Sequence, residues 1–115
     1  MSKLKKLTSI EADATGTSLK GYLLDTTYID LCDAFGEPTY MPEDSGDGKI
    51  HFEWVFDFNG ETFTLYDWKT YDEEYSLTEL TKWNVGGKVF YGDFIDHIES
   101  VIYDKRKETT RLNHI

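Results

Sequence analysis

A chain of 115 residues is one domain's length, and its 39% hydrophobic and 16% aromatic content is too rich for an intrinsically disordered segment. Twelve basic against 22 acidic residues leave a net charge of −10, which excludes a general nucleic-acid coat, since backbone binding needs clustered lysine and arginine. No apolar run approaches the roughly 18 residues of a membrane span.

Taken in chain order, residues 4–11 read as a strand, 14–18 as a loop and 19–24 as a second, short strand. Thr27 with Asp30 approximates a capping box, and Tyr28, Leu31, Cys32 and Phe35 fall on one helical face. Gly36 and Pro38 stop that helix. Residues 37–49 form a loop by their proline, glycine and aspartate content. Ile50, Phe52, Trp54, Phe56 and Phe58 then alternate with His51, Glu53, Val55 and Asp57, which predicts a strand over 50–58 with one buried aromatic face. Asn59-Gly60 is the preferred dipeptide of a type I′ turn, and 61–69 returns as the partner strand. An acidic loop at Asp72-Glu73-Glu74 leads to a short strand over 82–85, which Gly86-Gly87 breaks. Phe94, Ile95, Ile98, Val101 and Ile102 predict an amphipathic helix over 92–105.

The expected product is an α+β domain over residues 1–104: a small antiparallel sheet around the 50–58/61–69 hairpin, with two helices packed on one face. Residues 105–115 read as a basic, flexible tail. Charge is uneven along this plan. Residues 25–104 hold 19 acidic side chains against Lys49, Lys69, Lys82 and Lys88, a net of −15.

Catalytic patterns are weak, and no enzyme is expected. His51, His97 and His114 show no metal-ligand spacing, and His97 reads as a surface residue. The lone Cys32 closes no intrachain disulfide, falls on an apolar helix face and reads as a small core hydrophobe. With no apolar stretch after the charged start at Lys3, Lys5 and Lys6, no signal peptide is expected, and the compartment is a reducing cytoplasm. No cofactor or metal is implied.

Three features have the chemistry of a binding site. Tyr66-Asp67-Trp68-Lys69 ends a strand with two aromatics on one face and a cation beside them. Around Trp83, Gly86-Gly87 could turn backbone amides onto an anion, with Lys88 supplying charge. The segment 16–22, with Thr17, Ser18, Lys20 and Tyr22, is rich in hydroxyls and small residues and by itself reads as a turn. Trp68 and Trp83 could stack a flat ring as aromatics stack nucleobases. Against this stands the reading of both tryptophans as core and Gly86-Gly87 as an ordinary turn.

The segments 16–22 (GTSLKGY), 35–39 (FGEPT), 66–69 (YDWK) and 83–87 (WNVGG), in that order, resemble the motifs of a family of small uncharacterised proteins encoded by bacteriophages. The likeness spans about residues 8–90. Lys20 stands where those motifs carry glutamine, and Asn84 where they carry histidine; a catalytic role for that histidine would be absent here. The resemblance implies a phage accessory protein in the host cytoplasm. Three roles follow as expectations. One is sequestration of a small nucleotide-type immune signal, held by Thr17, Ser18, Lys20, Tyr22, Tyr66, Trp68, Lys69, Trp83, Gly86, Gly87 and Lys88. The second is acidic inhibition of a basic host defence protein by mimicry of DNA. The third is a structural or packaging accessory. A homo-oligomer is compatible with the aromatic content.

Overall fold

Local patterning sets nine short elements in the computed structural model, which describes residues 3–44, 49–70 and 72–112. In chain order they are β1 (Leu4–Lys6), β2 (Ser18–Leu23), α1 (Tyr28–Phe35), a 3-10 turn (Pro42–Asp44), β3 (Glu53–Phe58), β4 (Glu61–Tyr66), α2 (Glu73–Thr78), β5 (Trp83–Gly87) and α3 (Gly92–Leu112). The five strands form one antiparallel sheet in the order β1-β3-β4-β5-β2. Helices pack against it, so the fold is a small α+β sandwich of helix on sheet.

The hairpin forms as its sequence dictates. Asn59 and Gly60 adopt φ of 54° and 87°, the left-handed geometry a type I′ turn requires of both central residues. The turn fixes the register Phe58↔Glu61 through Glu53↔Tyr66. Phe52, Trp54, Phe56 and Phe58 are all buried, and with Phe63, Leu65, Trp83 and Val85 they make the sheet's apolar face. Leu31 of α1 and Phe94, Ile95, Ile98 and Ile102 of α3 close over it. Ring packing is dense there: Phe63 stacks on Phe94 with centroids 4.4 Å apart and planes 7° from parallel.

Helix α1 starts on a complete capping box. Asp30 N–H donates to Thr27 Oγ1 at 3.1 Å, and Thr27 N–H donates to Asp30 Oδ2 at 2.9 Å. Gly36, at φ 82°, ends the helix with its amide on Cys32 O.

Several expectations need correction. The first strand ends at Lys6 instead of residue 11, because Glu11 folds back to accept from the Thr8 amide and to pair with Lys5 at 2.6 Å. Regular pairing starts at Glu53, not at residue 50, and stops at Tyr66. Just beyond, Asp67 Oδ1 takes the amides of His51 and Phe52 at 2.8 and 3.0 Å, so a side chain shares the pairing with the backbone bonds Asp67 N–H to Phe52 O and Lys69 N–H to Lys49 O. A third helix, α2, occupies the segment expected as a loop; Asp72 caps it through the Glu74 amide, and Glu73 and Glu74 suit its positive N-terminal end.

Gly86-Gly87 does not break β5 but completes it. Both residues pair with β4 on one side and β2 on the other. The reason is space. A Cβ on Gly86 would sit 2.5 Å from Thr64 Oγ1, and one on Gly87 would sit 2.8 Å from the Phe63 ring. Helix α3 also runs past residue 105 to Leu112. Arg106 anchors this extension: its guanidinium grips Asp30 at 2.6 and 3.2 Å and donates to Asp25 O at 2.7 Å. His114 lies outside the described residues.

Candidate functional site

Strand alternation gives the sheet a second face, turned away from α1 and α3. Tyr22 of β2 pairs with Asn84 of β5, and Asn84 pairs with Tyr66 of β4, so these three residues lie side by side on it. Trp68, two residues beyond Tyr66, continues the row. Tyr75 on α2 and Leu80 approach from one end. Together with Leu19, Thr70 and Lys82 they line a groove of about 620 Å³.

The groove is aromatic in composition. Trp68 is 45% exposed and meets Tyr66 edge to face, with centroids 6.3 Å apart and planes at 84°. Tyr22 and Tyr75 are similarly open at 44% and 45%. Lys82 Nζ stands 4.2 Å from the Tyr22 ring centroid, a cation–π contact that leaves one positive charge at the rim. Asn84 and Thr70 supply hydrogen-bonding groups to an otherwise apolar lining.

Two titratable groups border the groove on the sheet. Glu53, directly opposite Tyr66, is pushed up to about 7 by burial and by the nearby Asp67 carboxylate. Burial also raises the Tyr66 hydroxyl; the Asn84 side chain opposes this shift and the Glu53 charge adds to it. A pH effect follows. Between about 4.5 and about 7 the folded protein holds a Glu53 proton that the unfolded chain has released, so stability falls as pH rises through that window. The slope is at most roughly 1.4 kcal/mol per pH unit. Glu53→Gln removes this fall, and its melting temperature exceeds wild type at pH 8 but not at pH 4; thermal melts across that range check it.

Below the groove lies a buried polar hub. Asp67 is 1% exposed, and besides the two amides its Oδ2 accepts from Ser76 Oγ at 2.7 Å and lies 3.0 Å from His51 Nδ1. Thr70 Oγ1 reaches both His51 Nδ1 and Ser76 Oγ, at 3.1 and 2.9 Å. Ser76 is oriented toward the carboxylate and not toward the imidazole, so this is not a nucleophile–base pair. The hub fixes α2 and the start of β3 to the end of β4, and thereby holds Thr70 and Tyr75 at one end of the groove. Burial pushes the Cys32 thiol up, which opposes a nucleophilic role. Among the described residues no group of three His, Cys, Asp or Glu side chains is arranged to hold a metal.

The structure divides the eleven candidate ligand-binding residues. Tyr22, Tyr66 and Trp68 meet in the groove. Trp83 does not: it is fully buried on the opposite face, edge-on to Trp54, with Nε1 donating to Thr26 O at 2.8 Å. Gly86 and Gly87 are committed to two ladders and cannot turn their amides onto an anion. Ser18 pairs with Gly87, Lys20 reaches toward Gly87 and Lys88 lies against Gly16, so these residues gather at the far end of the β2–β5 ladder. Thr17 donates its hydroxyl to Ala14 O within its own turn. Leu19, between Ser18 and Lys20, reaches the groove, so this cluster borders the groove's β2 end without lining it. Lys69 leans on Trp68 from outside, 5.6 Å from the ring centroid, and is not part of the lining.

Leu19, Thr70, Tyr75, Leu80, Lys82 and Asn84 line the groove without having been assigned to a site by sequence reading. The usable signal for Tyr75 was the Asp72 cap, which marks a helix start. Compared with known protein families, with characterised proteins and with solved structures, the chain matches none.

Proposed function

We propose that the chain is a non-enzymatic binding protein that sequesters a small nucleotide-type ligand, with the base stacked against Trp68 and Tyr66 in the sheet-face groove. One observation carries this reading: four aromatic side chains, three of them wide open, converge with Asn84 and Thr70 on a single groove. Aromatic platforms take any flat ring, and an amide with a hydroxyl beside them reads its polar edge. The groove has one cation, Lys82, on a chain of net charge −10. That favours a ligand with few phosphates, such as a nucleoside or a cyclic mononucleotide, over a polyphosphate. In the phage setting that the motif resemblance implies, the ligand is a host immune signal withdrawn from its receptor.

Calorimetry against nucleosides and cyclic and linear nucleotides tests it. Trp68→Ala weakens binding roughly five- to a hundred-fold, the worth of one base stack. Lys82→Ala weakens phosphorylated ligands more than nucleosides, whereas Lys69→Ala and Lys88→Ala leave affinity unchanged. No binding at high micromolar concentration, or a Trp68→Ala variant that binds normally, overturns the reading.

A second reading, acidic inhibition of a basic defence protein, is favoured by the exposed carboxylates of α2. Its test reverses Glu73 and Glu74 to lysine and spares Asp72, whose side chain caps the helix. Loss of inhibition with unchanged nucleotide binding selects it.

A further inference from the structure

We infer that the free edge of β2 is a strand-addition site for an extended, basic segment of a partner protein. The sheet has two edges, and they are built differently. β1 has three residues, with Lys5 and Lys6 tied to Glu11 and to the Glu37 carbonyl, the short, charged form that discourages pairing. β2 has six residues, about 20 Å of strand, with Ser18, Leu19, Lys20 and Tyr22 exposed. Among the described residues its backbone bonds only to β5, so its outer row of donors and acceptors faces solvent. A bulge between Leu19 and Gly21 interrupts the first half of that row. The regular part is residues 21–23, and just beyond it the Leu24 carbonyl accepts from Thr26 Oγ1.

That regular part borders a second groove, of about 650 Å³, between the strand and α3. Leu24, Ile102 and Tyr103 supply its apolar surface; Asp25, Asp96 and Glu99 supply carboxylates. Leu24 and Tyr103 are 59% and 57% exposed, an unusual investment of apolar surface beside an open strand edge. The cation there, Arg106, is already engaged by Asp30 and the Asp25 carbonyl. The groove is therefore electronegative where it is unpartnered.

Charge selects the occupant. A segment alternating basic and apolar residues fits, because alternate side chains of an added strand point to opposite sheet faces. Lysine or arginine stems lie along Tyr103 with their charges at Asp96 and Glu99. The intervening apolar residues meet Leu19, Tyr22 and Leu24, which share the face turned away from the core.

The test is a titration with an eight-residue peptide alternating lysine and valine, followed by amide hydrogen exchange. Binding slows exchange of the outward-facing amides within residues 21–23 and weakens as salt is added. The double variant Asp96→Lys with Glu99→Lys, both exposed on α3, weakens binding roughly tenfold or more. A peptide with glutamate in place of lysine does not bind, and neither does one methylated on alternate amides. Equal binding of the methylated peptide, protection confined to α3, or protection of the same amides by self-association without peptide would each overturn the proposal.

Discussion

Trp83→Ala costs roughly 3–5 kcal/mol of stability, the range for removing a large aromatic from a packed core. The indole has no exposed surface, stands edge-on to Trp54 at 5.5 Å and donates to the Thr26 carbonyl. Its loss opens a cavity beneath β5 and orphans a buried carbonyl at the approach to α1. Chemical denaturation followed by circular dichroism measures the change. Trp68→Ala is the contrast: with 45% of the residue already in water, it costs less, on the order of 2 kcal/mol, and opens no enclosed cavity. One tryptophan supports the fold and the other the groove, so the two variants separate stability from binding.

Asp67→Ala has the second large effect, on the order of 3 kcal/mol. The carboxylate takes the His51 and Phe52 amides and the Ser76 hydroxyl and lies against the His51 ring. Alanine leaves those donors without an acceptor in a site closed to water. Asp67→Asn keeps one acceptor oxygen and loses less. Both substitutions also remove the charge that helps to raise Glu53, so the fall in stability between pH 4.5 and 7 becomes shallower. Urea titrations at pH 5 and pH 8 resolve the two effects. Because Ser76 and Thr70 tie α2 to this hub, the nucleotide binding proposed for the groove is expected to weaken in Asp67→Ala even where the protein remains folded.

Much of the fold was legible where a residue's role depends on its immediate neighbours. A cap is made within four residues, so Thr27 and Asp30 announced α1, and both predicted hydrogen bonds are present. A type I′ turn depends on two residues, so Asn59-Gly60 set the hairpin and its register. The strict alternation from Phe52 to Phe58 identified the aromatic face that becomes the core. Helix α2 escaped notice because six residues give too little periodicity to separate a helix from an acidic loop.

The candidate site was less legible, and the misplacements share a cause. Alternation divides a strand into two faces without saying which one the helices will cover. Tyr66 and Trp68 share one face of the chain, Leu65 and Asp67 the other; only the packing of α1 and α3 makes the second face interior, and the buried carboxylate is the part of that outcome no hydrophobic pattern announces. Gly86-Gly87 is equally ambiguous in sequence. Glycine marks a turn or a close approach, and the distinction lies with Thr64 and Phe63 on the neighbouring strand. By itself, then, the sequence determined the helix cap, the hairpin and the apolar face, because each is specified by residues within one turn or one strand. The tertiary structure decided which tryptophan is core, which residues share the groove and which sheet edge stays open, because each depends on strands brought together across the chain.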